Sequence, residues 1–145
     1  MFAIVRPDSW NLPLFVHVAG AMLLVAAVVV VLAVTAGALR RGDDVAVLMR
    51  LAFRALLLGV LPAWLVMRVG AQWVESEEAV GDPSWIGIGY GTSEGGLLLI
   101  LIATGLAWRA SRRGAAGSGR AVFVLSALVL FAFAVAIWAM TAKPT

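Results

Sequence analysis

Four apolar stretches, each close to or beyond the roughly 20 residues a helix needs to cross a bilayer, occupy most of this 145-residue chain. A run of that length placed in lipid must bond all of its own peptide groups, and a helix is the only single segment that does so. The expected fold is therefore all-α: a four-transmembrane-helix bundle, antiparallel and up-down, with both termini outside. Hydrophobic residues make up 63% of the chain and charged ones 13%, against about 45–50% and about 25% in soluble domains. Four spans consume so much length that residues 1–145 read as one integral membrane domain, with no separate soluble part expected.

The first span is expected over about residues 12–39. It holds no charged residue and one histidine, His17, and at near 28 residues it reaches roughly 42 Å, so it must tilt or protrude. Val34-Thr35-Ala36 resembles a signal cleavage site. The apolar run is, however, far longer than the about 7–15 residues of a signal core, and Asp8 offsets Arg6, so the span is expected to be retained. Arg40-Arg41-Gly42-Asp43-Asp44 forms the first joint, with Gly42 a stop and the Asp pair a cap for the next helix.

The second span, about 47–74, carries Arg50, Arg54, Arg68 and Gln72. Pro62, three residues after Gly59, lacks the N–H that would bond the Leu58 carbonyl, which predicts a kink. Residues 75–92 are expected to form an acidic, Gly-rich outer loop. In it Asp82-Pro83 reads as an N-cap followed by a first-turn proline, and Trp85 to Gly91 as a short turn or interfacial helix. The third span is expected over about 93–110, capped by Ser93, and the fourth over about 121–141.

Charge sets the orientation. Eight of the eleven basic residues, namely Arg40, Arg41, Arg50, Arg54, Arg109, Arg112, Arg113 and Arg120, flank joints one and three. Basic residues collect in cytoplasmic loops, so those joints face the cytoplasm and both ends lie outside a bacterial plasma membrane. Trp10, Trp73, Trp85 and Trp138 then mark the outer interface and Trp108 the inner one. Ala132, Ala136 and Ala139 put a small face on the fourth helix, where a neighbour can approach closely.

Ionisable groups inside a bilayer are costly, so each needs a partner, water or a function. His17, Arg68 and Glu94 fall at similar depth near the outer face, with Gln72 one turn above Arg68 and Tyr90 nearby. Brought together, they make either a structural clasp built on an Arg68–Glu94 pair or an outward-facing ligand or ion pocket, and the sequence leaves both open. Trp64, four residues before Arg68, is placed for a cation–π stack. Arg50 and Arg54 suit anionic lipid headgroups.

No cofactor is expected. The one metal arrangement available is soft, with His17, Met67 and Met140 as a copper(I) set, and a single histidine excludes bis-histidine haem. With no cysteine in the chain, disulfides, thiolate metal sites and cysteine nucleophiles drop out together. The triplet Gly89-Tyr90-Gly91 matches part of a potassium-filter loop but lacks its threonine and its pore helix. No hydrolase motif or paired intramembrane carboxylate is present, and no enzyme activity is expected. Small multidrug transporters share the four-span plan but depend on a first-helix glutamate that this chain lacks. The basic residues sit beside apolar spans, so they imply lipid contact rather than nucleic acid.

The segment Phe15-Val16-His17-Val18-Ala19-Gly20-Ala21, followed by a basic joint and by Leu48-Met49-Arg50-Leu51-Ala52-Phe53-Arg54, resembles small uncharacterised four-helix bacterial membrane proteins. Some of these are distantly similar to copper-resistance D-type membrane domains. The resemblance covers the first half of the chain and carries over His17 alone as a functional position. Two functions are expected from the whole reading. The first is a non-enzymatic accessory or structural component that associates with itself or with a membrane partner. The alternative is a small transporter or ligand-binding protein using the His17, Arg68 and Glu94 pocket.

Overall fold

A computed structural model describes residues 8–41, 44–78, 84–113 and 116–142. Among these every regular element is helical: a short 3-10 turn Asp8–Trp10, then α1 (Asn11–Arg41), α2 (Val45–Ala55), a π-turn (Leu56–Val60), α3 (Leu61–Glu78), α4 (Ser84–Arg113) and α5 (Ala116–Ala142). With α2, the π-turn and α3 read as one continuous rod, four helices are long and apolar enough to cross a membrane. Pro13 sits in the first turn of α1, where a backbone N–H has no intrahelical acceptor to lose, and it is fully buried. Asp44 occupies the N-cap position of α2, but its side chain makes no cap bond. Its carbonyl accepts the Leu48 N–H at 3.0 Å. The Gly42, Asp43, Asp82 and Pro83 assignments lie outside the described residues.

The shared core is aliphatic and narrow. Leu24, Val28 and Val31 of α1 meet Met49, Ala52, Leu56 and Val60 of the second rod, Ile100, Ala103 and Ala107 of α4, and Val122 and Val129 of α5. The outward faces are just as apolar: Phe15 is 69% exposed, Leu58 72% and Phe131 67%. Helices hydrophobic all round belong in apolar surroundings. Threonine hydroxyls on them are satisfied locally, as the i−4 rule allows. Thr35 donates to the Val31 carbonyl at 2.8 Å, Thr92 to that of Ile88 at 2.8 Å and Thr104 to that of Ile100 at 2.7 Å.

The expected irregularity at Pro62 takes the form of the π-turn. Its hallmark is the Leu61 N–H reaching back five residues to the Leu56 carbonyl, a widening that absorbs the missing proline donor. The turn also redirects the rod. Its first half, α2, packs on both α1 and α4, whereas its second half, α3, packs heavily on α1 and barely touches α4.

One boundary expectation is overturned. Residues 75–92 are not an extended loop, because α3 continues to Glu78 and α4 begins at Ser84, nine residues before the expected start at Ser93. Ser93 is a buried mid-helix residue rather than a cap. Each glycine costs a helix about 1 kcal/mol relative to alanine, yet two glycines of α4 are used for packing. A Cβ at Gly89 would lie 3.1 Å from Met140 Cε, and one at Gly96 3.4 Å from the Phe133 ring. The GYG-containing run is therefore a helix face and not a filter loop. On α5, Ala136 and Ala139 are buried and Ala132 half-buried, so the small face expected there is used inside the chain.

Candidate functional site

Two glycines hold α1 against α3. A Cβ on Gly20 would sit 2.5 Å from the Met67 backbone nitrogen, and one on Gly70 2.5 Å from that of His17. The crossing is reciprocal: His17 precedes Gly20 by three residues as Met67 precedes Gly70. At this approach the His17 ring reaches across, its Nδ1 lying 3.0 Å from the Met67 carbonyl oxygen. A carbonyl only accepts, so the contact requires the hydrogen on Nδ1. The histidine that stood out in the sequence thus joins two helix backbones.

Arg68 is the second anchor. Its Nε donates to Glu94 Oε1 at 3.1 Å, with the arginine side chain 20% exposed and the glutamate 55%. Its guanidinium carbon lies 4.4 Å from the centre of the Tyr90 ring. The tyrosine hydroxyl in turn donates to Glu75 Oε2. The stack expected between Trp64 and Arg68 does not form. Tyr90 supplies the aromatic face, while the Trp64 indole N–H donates to the Ser93 carbonyl at 3.1 Å. An indole in apolar surroundings needs an acceptor for its N–H, and that need points Trp64 toward α4 instead.

Where α3 leaves α4, a cavity of about 230 Å³ opens, walled by all four rods. Its lining is mostly apolar, with Leu14, Phe133, Ala136 and Met140 among the walls, and includes His17, Arg68, Glu75, Tyr90 and Ser93. Of the expected cluster, His17, Arg68 and Tyr90 line this space. Glu94 joins through the ion pair but lies off the lining, and Gln72 is exposed and does not take part. Met67 and Met140 line the same cavity as His17. Among the described residues no three His, Cys, Asp or Glu side chains are placed to hold a metal ion.

Glu75 and Ser93 are the residues that sequence reasoning missed as site members. Glu75 was read as part of a solvated acidic loop; its spacing of seven from Arg68, two helical turns, was the available signal. Two polar atoms in this region, Arg68 Nη1 and Ser93 Oγ, are buried without a hydrogen-bond partner among the described residues. At the distant ends of α4 and α5 lie the exposed Arg109, Arg112, Arg113 and Arg120, with Arg112 stacked 4.6 Å over Trp108.

These features define a class: among the described residues, an all-helical arrangement with four helices long and apolar enough to cross a membrane, an ion pair between two of them and a cavity beside it. Compared with family models, curated proteins and solved structures, the chain matches none of them.

Proposed function

We propose that this chain is a multi-pass protein of a bacterial plasma membrane that acts without catalysis, holding a small ligand in the cavity beside Arg68. Its helices cross antiparallel, up and down, with both termini outside, so that the cavity opens near the outer face. The orientation is supported by the gathering of eight of the eleven basic residues at joints one and three. The binding role rests on one observation: a mostly apolar cavity of about 230 Å³ is lined by two side chains of opposite charge, Arg68 and Glu75. Charged groups in apolar surroundings are costly unless they are paired. A ligand of matching charge would meet them.

A second reading has an observation of its own. The Arg68–Glu94 bridge and the Gly20 and Gly70 crossing favour a purely structural clasp in an accessory component, one that self-associates or serves a membrane partner. A native mass spectrum of the protein extracted from its own membrane in mild detergent separates the two. A small-molecule adduct that disappears in Ala71→Phe, a substitution that fills the cavity wall, supports binding. A bare homo-oligomer or a fixed-ratio second polypeptide, unchanged by Ala71→Phe, supports the accessory role.

A further inference from the structure

We infer that the ligand of this cavity is a small zwitterion with an apolar body, the chemistry of an apolar α-amino acid, its carboxylate on Arg68 and its ammonium on Glu75. This rests on the cavity being a ligand site and names what that site takes.

Charge carries the argument first. Two opposite full charges line the cavity, Arg68 and Glu75, seven residues apart on one helix, which is about 10.5 Å along its axis. Tyr90 stands between them, with the arginine against its ring face and the glutamate at its hydroxyl. A simple anion would gain Arg68 but face Glu75, and a simple cation the reverse. In a space of low polarity either mismatch is expensive. Glu94, off the lining, meets Arg68 from one side, and a ligand carrying both signs meets each lining charge with its opposite.

Hydrogen bonding points the same way. The guanidinium has five N–H donors; Nε is given to Glu94, while Nη1 is buried and lacks a partner among the described residues. A ligand carboxylate is the acceptor that an arginine prefers, and Arg68 is among the residues that line the cavity. On the other side Tyr90 takes Oε2 of Glu75, and a carboxylate has acceptor capacity beyond one bond, enough for an ammonium group.

Size and walls limit the body. A cavity of about 230 Å³ accommodates a leucine- or phenylalanine-sized molecule. Phe133 and Met140 supply a wall without charge, against which a hydrocarbon side chain loses its contact with water.

The test is calorimetric titration of the purified protein in nanodiscs of zwitterionic lipid at neutral pH. The probes are L-leucine and L-phenylalanine, each compared with the analogue lacking the amine (isocaproate, hydrocinnamate) and the one lacking the carboxylate (isoamylamine, phenethylamine). We expect an amino acid to bind about tenfold or more tighter than either of its analogues, as the loss of one charged hydrogen bond implies. Arg68→Gln should erase the preference over the amine, Glu75→Gln the preference over the acid, and Ala71→Phe should abolish binding of all probes. If Arg68→Gln does not fold, the comparison of analogues on the wild-type protein reads the same property. An analogue that binds as tightly as its amino acid overturns the zwitterion and leaves the cavity as a ligand site. No binding by any probe overturns both.

Discussion

At the scale of single residues, the side chains around Arg68 differ sharply in what they contribute. Glu94 is more than half exposed, so its bridge is discounted by solvent or headgroup screening, and Glu94→Gln should lower unfolding stability by no more than about 1 kcal/mol. Arg68→Gln should cost more, about 1–2 kcal/mol, because it loses the Tyr90 stack as well. A charge-swapped Arg68→Glu, Glu94→Arg pair should recover part of the loss in a double-mutant cycle, and additive losses there would sink the clasp. Ser126 behaves in the opposite way. Its hydroxyl is buried without a partner among the described residues, so Ser126→Ala removes an uncompensated polar group and should leave thermal stability unchanged or raised. A clear drop in melting temperature would show that the hydroxyl is bonded in the membrane.

At the scale of helices, the glycines divide into two populations that composition does not distinguish. Gly20 and Gly70 sit where two backbones touch, and an added Cβ has nowhere to go. Gly20→Ala and Gly70→Ala should each destabilise by about 1–3 kcal/mol or more, the cost of forcing extra volume into a packed contact. Gly87, Gly91 and Gly95 have open space around the added atom, and Gly91→Ala should raise stability by up to about 1 kcal/mol through helix propensity alone. Similar melting shifts for Gly20→Ala and Gly91→Ala would contradict the crossing. Pro62 acts on direction. Restoring the N–H in Pro62→Ala should let the π-turn close to regular α-helix, bringing α3 toward α4 and narrowing the cavity. Because the chain has no cysteine, spin labels on introduced Ser76→Cys and Gly87→Cys can report that distance directly. An unchanged distance would mean that tertiary packing holds α3 away from α4 without the proline.

At the scale of the whole molecule, the orientation proposed above predicts one-sided chemistry. Ser76→Cys should react with an impermeant maleimide added to intact cells, and Gly117→Cys only after the membrane is opened. The reverse pattern would invert the topology and turn the cavity toward the cytoplasm. The number and helical nature of the spans were legible without coordinates, since runs of apolar residues this long have one backbone solution in lipid. The Pro62 irregularity was legible for the same local reason, an absent donor. So was the Arg68–Glu94 pair, because an arginine in an apolar run requires an opposite charge and few were on offer. The start of α4 was not legible. The glycines of Trp85 to Gly91 read as a short turn or an interfacial helix apart from the span, and only contacts from Met140 and the Tyr90 cluster, distant in sequence, show what one continuous helix gains there. Trp64 was misassigned because i to i+4 spacing says which side chains can meet, not which acceptor an indole N–H will find on another helix.

The sequence by itself therefore determined what depends on a chain segment and its solvent: helix, span, the site of irregularity at Pro62, charge asymmetry. The tertiary structure alone decided what depends on which faces meet. It made His17 and Gly20 one half of a backbone crossing, moved the aromatic partner of Arg68 from its own helix to Tyr90, drew Glu75 out of an acidic joint into a cavity wall, and left Gln72 outside. The physical reason is range. Backbone hydrogen bonding and transfer into lipid act on each segment separately, whereas a cavity exists only where a π-turn carries one helix away from its neighbour.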